Sequence, residues 1–305
     1  MKKILFVFIP ILLLQFQFSL AQVPSYVPTN GLKAYWPFCG NANDISGNGN
    51  NGTVNGATLT TDRFGMPNSA YSFNGSTNHI RVGNSNSLNN STYTISGWFN
   101  TNNLATNAAE GAKGIIGKWW QNPSVCNSNY NSYLVVLTKP DGENSTFLGG
   151  ATALYAGNVF YSNNNINTNT WNHFVFIHNS TTGGKIYING VLSNSNNISG
   201  SVCNSLNDLI IGADNIAGTL YRFFNGKIDD LGIWNRELTQ GEINNLYNGN
   251  NTPTFTQVAA ICSGATLSAL PTTSNNGITG TWSPALNNTA TTTYTFTPTG
   301  GQCAT

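Results

Sequence analysis

Charge is scarce in this chain. Only 8% of its 305 residues are Asp, Glu, Lys or Arg, and the formal net charge is +1. The basic stripe that nucleic acid or anionic lipid demands is missing. Histidine occurs three times (His79, His173, His178), and none of the five cysteines sits in a CxxC pair, which argues against zinc and dithiol redox sites. No glycine-rich phosphate loop precedes a helix. Long apolar runs are missing too, apart from Ile4 to Leu14, which is too short to span a bilayer. Lys2 and Lys3 precede that run and Ser19-Leu20-Ala21 follows it, so residues 1–21 read as a secretory leader cleaved before Gln22. The expected location is secreted or cell-surface, with no membrane insertion after cleavage. Once the two leader lysines are gone, basic and acidic groups nearly balance.

Asn, Thr, Ser and Gly take the place of charge, and aromatics make up 11% of the chain. Low charge with many aromatics is the reverse of a disordered composition. Asn-Gly recurs at 51–52, 55–56, 74–75, 189–190, 225–226 and 248–249, each a turn signal because both residues tolerate positive φ. Ile186-Tyr187-Ile188 and Val191-Leu192 around Asn189-Gly190 predict a hairpin. After a Pro-rich lead (22–30), short alternating runs occupy 31–250, Thr252-Pro253-Thr254 marks a linker (251–254), and a Thr/Ser/Pro-rich segment fills 255–305. In that last segment Cys262–Leu267, Gly277–Pro284 and Thr291–Pro298 read as strands, with Trp282 as core. Export permits disulfides. Cys262 and Cys303 bracket the segment and are expected to pair, which would stabilise it by about 3–4 kcal/mol through loop closure. Cys126 with Cys203 is the favoured second pair, with Cys39 to either as the alternative.

The stretch 224–238 carries the strongest signal. It reads as a strand running into a helix. Leu231 and Ile233 share one side, and period-2 counting places Asp229 on that side as well. A buried carboxylate there needs a cation or several donors. Asp229 and Asp230 are adjacent, so on a regular strand they face opposite ways. Thr239 and Glu242 form a capping box, Leu238 and Ile243 a hydrophobic staple, and Ile243, Leu246 and Tyr247 one apolar helical face that ends at Asn248-Gly249.

This stretch resembles the C-terminal signature of laminin-G-like jelly rolls of the concanavalin A-like lectin/glucanase superfamily, as found in secreted bacterial proteins. Other landmarks follow in order: 40–50 (GNANDISGNGN), 70–75 (AYSFNG), 94–99 (TISGWF), 171–176 (WNHFVF) and 185–192 (KIYINGVL). The resemblance implies an all-β concanavalin A-like sandwich over 31–250, and the segment 255–305 is similar to an incomplete immunoglobulin-like β-sandwich repeat of bacterial surface proteins. Jelly-roll glucanases carry their paired carboxylates on one strand as E-x-D-x-x-E. No such run exists here, so a non-enzyme is expected. The resemblance also implies a structural Ca²⁺ held by Asp44 and Asp229, with Asn48 as a weaker ligand, since calcium takes carboxylate, amide and carbonyl oxygens. The competing reading makes Asp44 an Asx turn and gives Asp229 to Arg236 or to backbone donors. Trp36, Trp98, Trp171 and Trp234 fall at core positions and His173 at a packed structural position. That leaves Trp119-Trp120, which on a strand point to opposite faces. Trp120, with Tyr130, Tyr155 and Tyr161, forms the predicted sugar-stacking rim. The expected partner is a glycan, or else a cell-surface protein.

Overall fold

The computed structural model describes residues 22–102, 111–118, 133–139, 147–152, 159–200, 202, 206–216, 218–249, 253–275 and 278–298. The main body runs β1 (Leu32–Trp36), β2 (Gly52–Asn55), β3 (Thr58–Thr60), β4 (Ala70–Asn74), β5 (His79–Val82), β6 (Tyr93–Thr101), β7 (Lys113–Gly117), β8 (Tyr133–Thr138), β9 (Phe147–Thr152) and β10 (Val159–Tyr161). It continues through β11 (Asn172–Asn179), β12 (Gly183–Ile188), β13 (Val191–Ser195), β14 (Leu209–Ile211), β15 (Asp214–Ile216), β16 (Thr219–Tyr221), β17 (Asn225–Trp234) and helix α1 (Gln240–Asn248). Two large antiparallel sheets result, with β15–β16 as a separate two-stranded hairpin. One has the order β13-β12-β11-β6-β17-β4-β3, with β1 also on β17. The other is β10-β9-β8-β7-β14-β5-β2.

Residue alternation explains why the sheets stack. On β6, Tyr93, Ile95 and Phe99 face inward, and on β11 Phe174 and Phe176 do the same. They join Trp36, Tyr133, Val135, Ile211 and Ile233 in one buried core. Each fully buried side chain of this size contributes about 1.5–3 kcal/mol. The alternate residues of the first sheet are buried as well. Tyr35, Val175, Ile177, Tyr187 and Trp234 form a second apolar layer under Leu238, Ile243 and Leu246, with Val27 of the N-terminal lead. Both faces of β6, β11 and β17 are therefore covered, which accounts for their near-continuous burial.

The helix forms as its sequence predicts. Thr239 accepts from the Glu242 backbone while the Glu242 side chain accepts from the Thr239 backbone N–H. Leu238 and Ile243 are both buried. Tyr247 departs from the predicted face: it is half exposed and its ring stacks on Trp98 at 5.7 Å. Gly249 ends the helix with φ −63°, outside the left-handed region. What Gly249 provides is space, because a side chain there would strike the Tyr26 ring. Asn189 and Gly190 both take positive φ (50° and 80°) and close the predicted hairpin. Trp36, Trp98 and Trp234 are buried, and Trp171 is half-buried.

The C-terminal segment differs from expectation. Its described residues form one hairpin, β18 (Gly280–Ser283) with β19 (Thr295–Pro298), around a cluster of Phe255, Trp282 and Phe296 with centroids 4.7–5.0 Å apart. Residues 262–267, predicted as a strand, form a turn and irregular backbone instead. The Gly264 N–H donates to the Asn288 carbonyl there, and Gly264 has φ 81°. Cys262 is an exposed free thiol, so the predicted bond to Cys303, which lies outside the described residues, is not made. The aromatic cluster supplies the packing that the staple was expected to provide. Cys126 and Cys203 also lie outside the described residues, as does the leader.

Candidate functional site

The acid pair on β17 departs most from the sequence reading. β17 pairs with β6 from Gly226↔Thr101 to Asp229↔Trp98, then resumes at Gly232↔Ser96. Three steps on β17 match two on β6, so one extra residue bulges out. Asp230 takes φ 48° at that point, a conformation that Asp tolerates better than most residues. The bulge reverses the parity count. Leu231 and Ile233 face the inner core, whereas Asp229 shares the outer side with Trp98. It also overturns the expectation that Asp229 and Asp230 diverge, because both carboxylates accept from the same nitrogen. Arg63 Nη1 lies 3.0 Å from Asp229 Oδ2 and 2.6 Å from Asp230 Oδ2.

Arg63 comes from the loop between β3 and β4 and is itself buried, with 6% of its side chain exposed. Its guanidinium carbon sits 4.3 Å from the Phe64 ring centre and 4.7 Å from that of Trp98, a cation–π sandwich. Asp230 Oδ1 accepts from Tyr35 Oη at 2.8 Å, and its Oδ2 from Tyr26 Oη at 3.3 Å. Asp62 turns its own loop by accepting from Phe64 N and Met66 N. The cluster thus ties the N-terminal lead, β1, the β3–β4 loop and β17 together, and a small cleft is lined by Arg63, Asp229 and Asp230 with Tyr26, Asp62, Phe64 and Ser69. Burial, and then the charge of Asp230, push the Asp229 carboxyl well above the usual carboxylate range, with Arg63 opposing both. No sequence rule pointed to Arg63. Arg236, proposed as the alternative partner, instead pairs with Glu242.

The residues named for calcium do not fit that ion. Asp44 Oδ1 accepts from Tyr35 N at 3.0 Å and Ser46 N at 2.8 Å, and its Oδ2 from Asn50 N at 2.9 Å. This is the Asx-turn arrangement, extended to a third donor. Asn48 turns its amide N–H₂ inward, donating to Leu32 O and Ser46 Oγ. Asp229 is held by a guanidinium. No group of three or more His, Cys, Asp and Glu able to hold a metal occurs among the described residues.

His173 is buried, as the resemblance implied. Its Nε2 lies 3.0 Å from Ser96 Oγ and its ring 5.0 Å from Trp98. Burial, helped by the Arg63 charge, pushes its pKa down to about 3. Ser96 is 2% exposed, so this Ser–His contact is sealed and His173 Nδ1 has no partner to orient it as a base. Of the predicted sugar rim, Trp120, Tyr130 and Tyr155 lie outside the described residues. Tyr161 ends β10 half-buried, and its carbonyl accepts from Asn194 Nδ2 at 2.7 Å.

Exposed rings of the described body lie elsewhere. Phe64, Tyr221 and Tyr247 are 44%, 48% and 36% exposed. Phe64 covers Arg63 and Tyr247 covers Trp98. Tyr221 has no ring partner among the described residues. It stands opposite Asp214 on the β15–β16 hairpin.

The family model described as concanavalin A-like lectin/glucanases superfamily, Laminin_G_3, matches residues 74–244, more than half of the chain. The chain belongs to this superfamily. Solved structures agree on the fold. Domain 4 of AbnA, a GH43 extracellular arabinanase from Geobacillus stearothermophilus in complex with arabinotriose, is 21% identical with a TM-score of 0.53. The match covers 71% of this chain and 98% of that one. The binding domain of Paraclostridial Mosquitocidal Protein 1 is 18% identical with a TM-score of 0.55, covering 74% and 54%. The binding domain of Botulinum Neurotoxin DC in complex with SialylT is 16% identical with a TM-score of 0.52, also covering 74% and 54%. The superfamily region therefore spans about half the length of those toxin domains. A search of curated proteins returns no match.

Proposed function

We propose that the chain is an extracellular, non-catalytic carbohydrate-binding module. The observation that carries this reading is the fate of its close carboxylates. Asp229 and Asp230 share one guanidinium, with 3% and 11% of their side chains exposed, so neither reaches a glycosidic oxygen. A glycosidase needs one such group protonated and another facing the sugar. The rim, by contrast, is rich in amides fixed by short turns. Asn74 Oδ1 alone accepts from Ser76 N, Thr77 N and Asn78 N. Preorganised amides beside aromatic rings suit neutral hydroxyl networks. Domains of this fold that hold arabinotriose or a sialylated ligand add support, and attachment to a hydrolase, as in the arabinanase, suits an accessory role.

A protein ligand is the second reading. It is favoured by the exposed apolar pair Val191 (69%) and Leu192 (48%) at the β12–β13 turn, because exposed apolar groups of this kind mark protein contacts when they form a continuous patch. A glycan array probed with the full chain, with and without chelator, tests the first reading. Reproducible binding to defined oligosaccharides is expected. Turnover of any bound polysaccharide would end the non-catalytic reading, and silence across the array would end carbohydrate binding.

A further inference from the structure

Resting on the carbohydrate reading, we infer that the sugar-contacting surface is the rim built from the β15–β16 hairpin and the neighbouring β4–β5 turn, and that it takes a neutral oligosaccharide. Tyr221, Phe223, His79 and the amides of Asn55 and Asn78 carry the inference. Tyr221 is 48% exposed, with no ring against it among the described residues. Two residues on, half-buried Phe223 lies 6.5 Å from the His79 ring at a 58° tilt. His79 faces Asn55 across β5 and β2. The rim therefore presents an aromatic wall beside the amides of Asn55 and Asn78.

The wall is rigid. Phe224, next to Phe223, is fully buried. The Phe224 N–H donates to Gly212 O at 2.9 Å, and its carbonyl accepts from Gly75 N at 2.8 Å. The His79 ring is fixed by Nδ1 against Thr77 O at 3.0 Å. Rings held in this way lose little freedom on stacking against a sugar face, which favours affinity.

The hairpin is also pinned from inside. Asp214, directly opposite Tyr221, is fully buried, and its Oδ2 accepts from Arg222 Nη1 at 2.9 Å.

Charge decides the ligand class. Two cations near this rim are committed, Arg222 to Asp214 and Arg81 to Asp208 at 2.6 Å. Their pairing leaves less positive charge among the described residues to favour a carboxylated or sulfated sugar. A neutral pyranose or furanose chain fits; a sialylated one does not.

The test is calorimetric titration of the full chain with arabinotriose, with neutral gluco- and xylo-oligosaccharides, and with sialyllactose, comparing wild type with Tyr221→Ala, Phe223→Ala and Trp120→Ala. Expected is binding of a neutral sugar, insensitive to salt, weakened about tenfold by Tyr221→Ala and several-fold by Phe223→Ala, as the loss of ring stacking predicts. Melting temperatures should stay at the wild-type value, so that the losses report contact rather than folding. Tyr221→Phe should bind nearly as wild type. Wild-type affinity in both rim variants, or a loss confined to Trp120→Ala, overturns this rim while leaving carbohydrate binding intact. Preference for sialyllactose overturns the neutral-ligand assignment. Failure of the wild type to bind any of these sugars or any glycan on the array overturns the carbohydrate reading itself.

Discussion

Replacing Arg63 by Met keeps much of the side chain's length and apolar contact with Phe64 and Trp98 while removing the charge. It leaves Asp229 and Asp230 buried, with 3% and 11% of their side chains exposed, and no cation between them. Breaking a buried pair by removing one partner costs about 3–5 kcal/mol, because the remaining charge is stranded. The lost cation–π contacts add about 1 kcal/mol. For a domain of this size, a loss of that order lowers Tm by roughly 10 °C or more.

The pH dependence separates this account from a packing defect. The folded Asp229 carboxyl already titrates well above the usual range, from burial and the Asp230 charge, so the native state binds protons more readily than the unfolded chain. Stability from this group therefore rises as pH falls through its folded pKa towards the unfolded value near 4, and is lost again as pH rises. Without Arg63 the folded pKa climbs further, and the Arg63→Met penalty should be large at pH 8 and markedly smaller at pH 5. Urea denaturation of both proteins at the two pH values, with m-values checked for constancy, measures it. The same substitution in an Asp229→Asn/Asp230→Asn background should cost far less. An equal loss at both pH values, or an equal loss in the double-Asn background, would refute the reasoning.

Other outcomes follow from the same geometry. Asp229→Asn should become progressively more stable relative to wild type as pH rises from 5 to 8, read by the same denaturation curves. Gly226→Ala should cost at least about 2 kcal/mol, since Gly226 has φ 146° and a Cβ there would run into the Asn100 carbonyl; thermal melts check it. Thr239→Ala removes half of the capping box and should cost about 1 kcal/mol in the same melts. Lys118 is buried against Asn84 and Asn89, and burial lowers its pKa to about 8. The native state thus sheds this proton before the unfolded chain does, so stability should rise relative to Lys118→Met between pH 8 and 10, as denaturation at those two pH values would show.

Much of the sandwich was legible because its signals are local. The Asn189-Gly190 turn and the Thr239–Glu242 box each constrain a few consecutive residues, and each appears where the pattern predicts it. Arg63 was not legible. It lies 166 positions from Asp229, in a loop whose sequence shows no period, and only the closed sheet brings the two together. The rim had a different obstacle. Setting aside the tryptophans at family core positions leaves Trp120 as the spare ring, whereas Tyr221 and Phe223 lie in and just after a short hairpin that carries no strong sequence signal. The Cys262–Cys303 expectation failed for a related reason. Sequence bracketing says which thiols could meet, and geometry decides whether they do.

A single inserted residue links these results. Without the bulge at Asp230, β17 would keep its alternation, and Asp229 would join Leu231 and Ile233 inside the sandwich among Phe99 and Phe174. A carboxylate there would have no donor within reach and could not be tolerated. With the bulge, the same residue turns outward onto Trp98, meets Arg63 and serves as a fastening point for the N-terminal lead. Gly232, just past the bulge, makes room for the Trp234 ring, which a side chain there would strike, so the strand resumes its packing at once. The acids of this signature are therefore consumed in construction, each paired to Arg63. On the proposed carbohydrate-binding reading, recognition would fall to side chains that construction does not need, which makes exposed rings without partners, rather than perturbed carboxylates, the residues on which to test for a ligand.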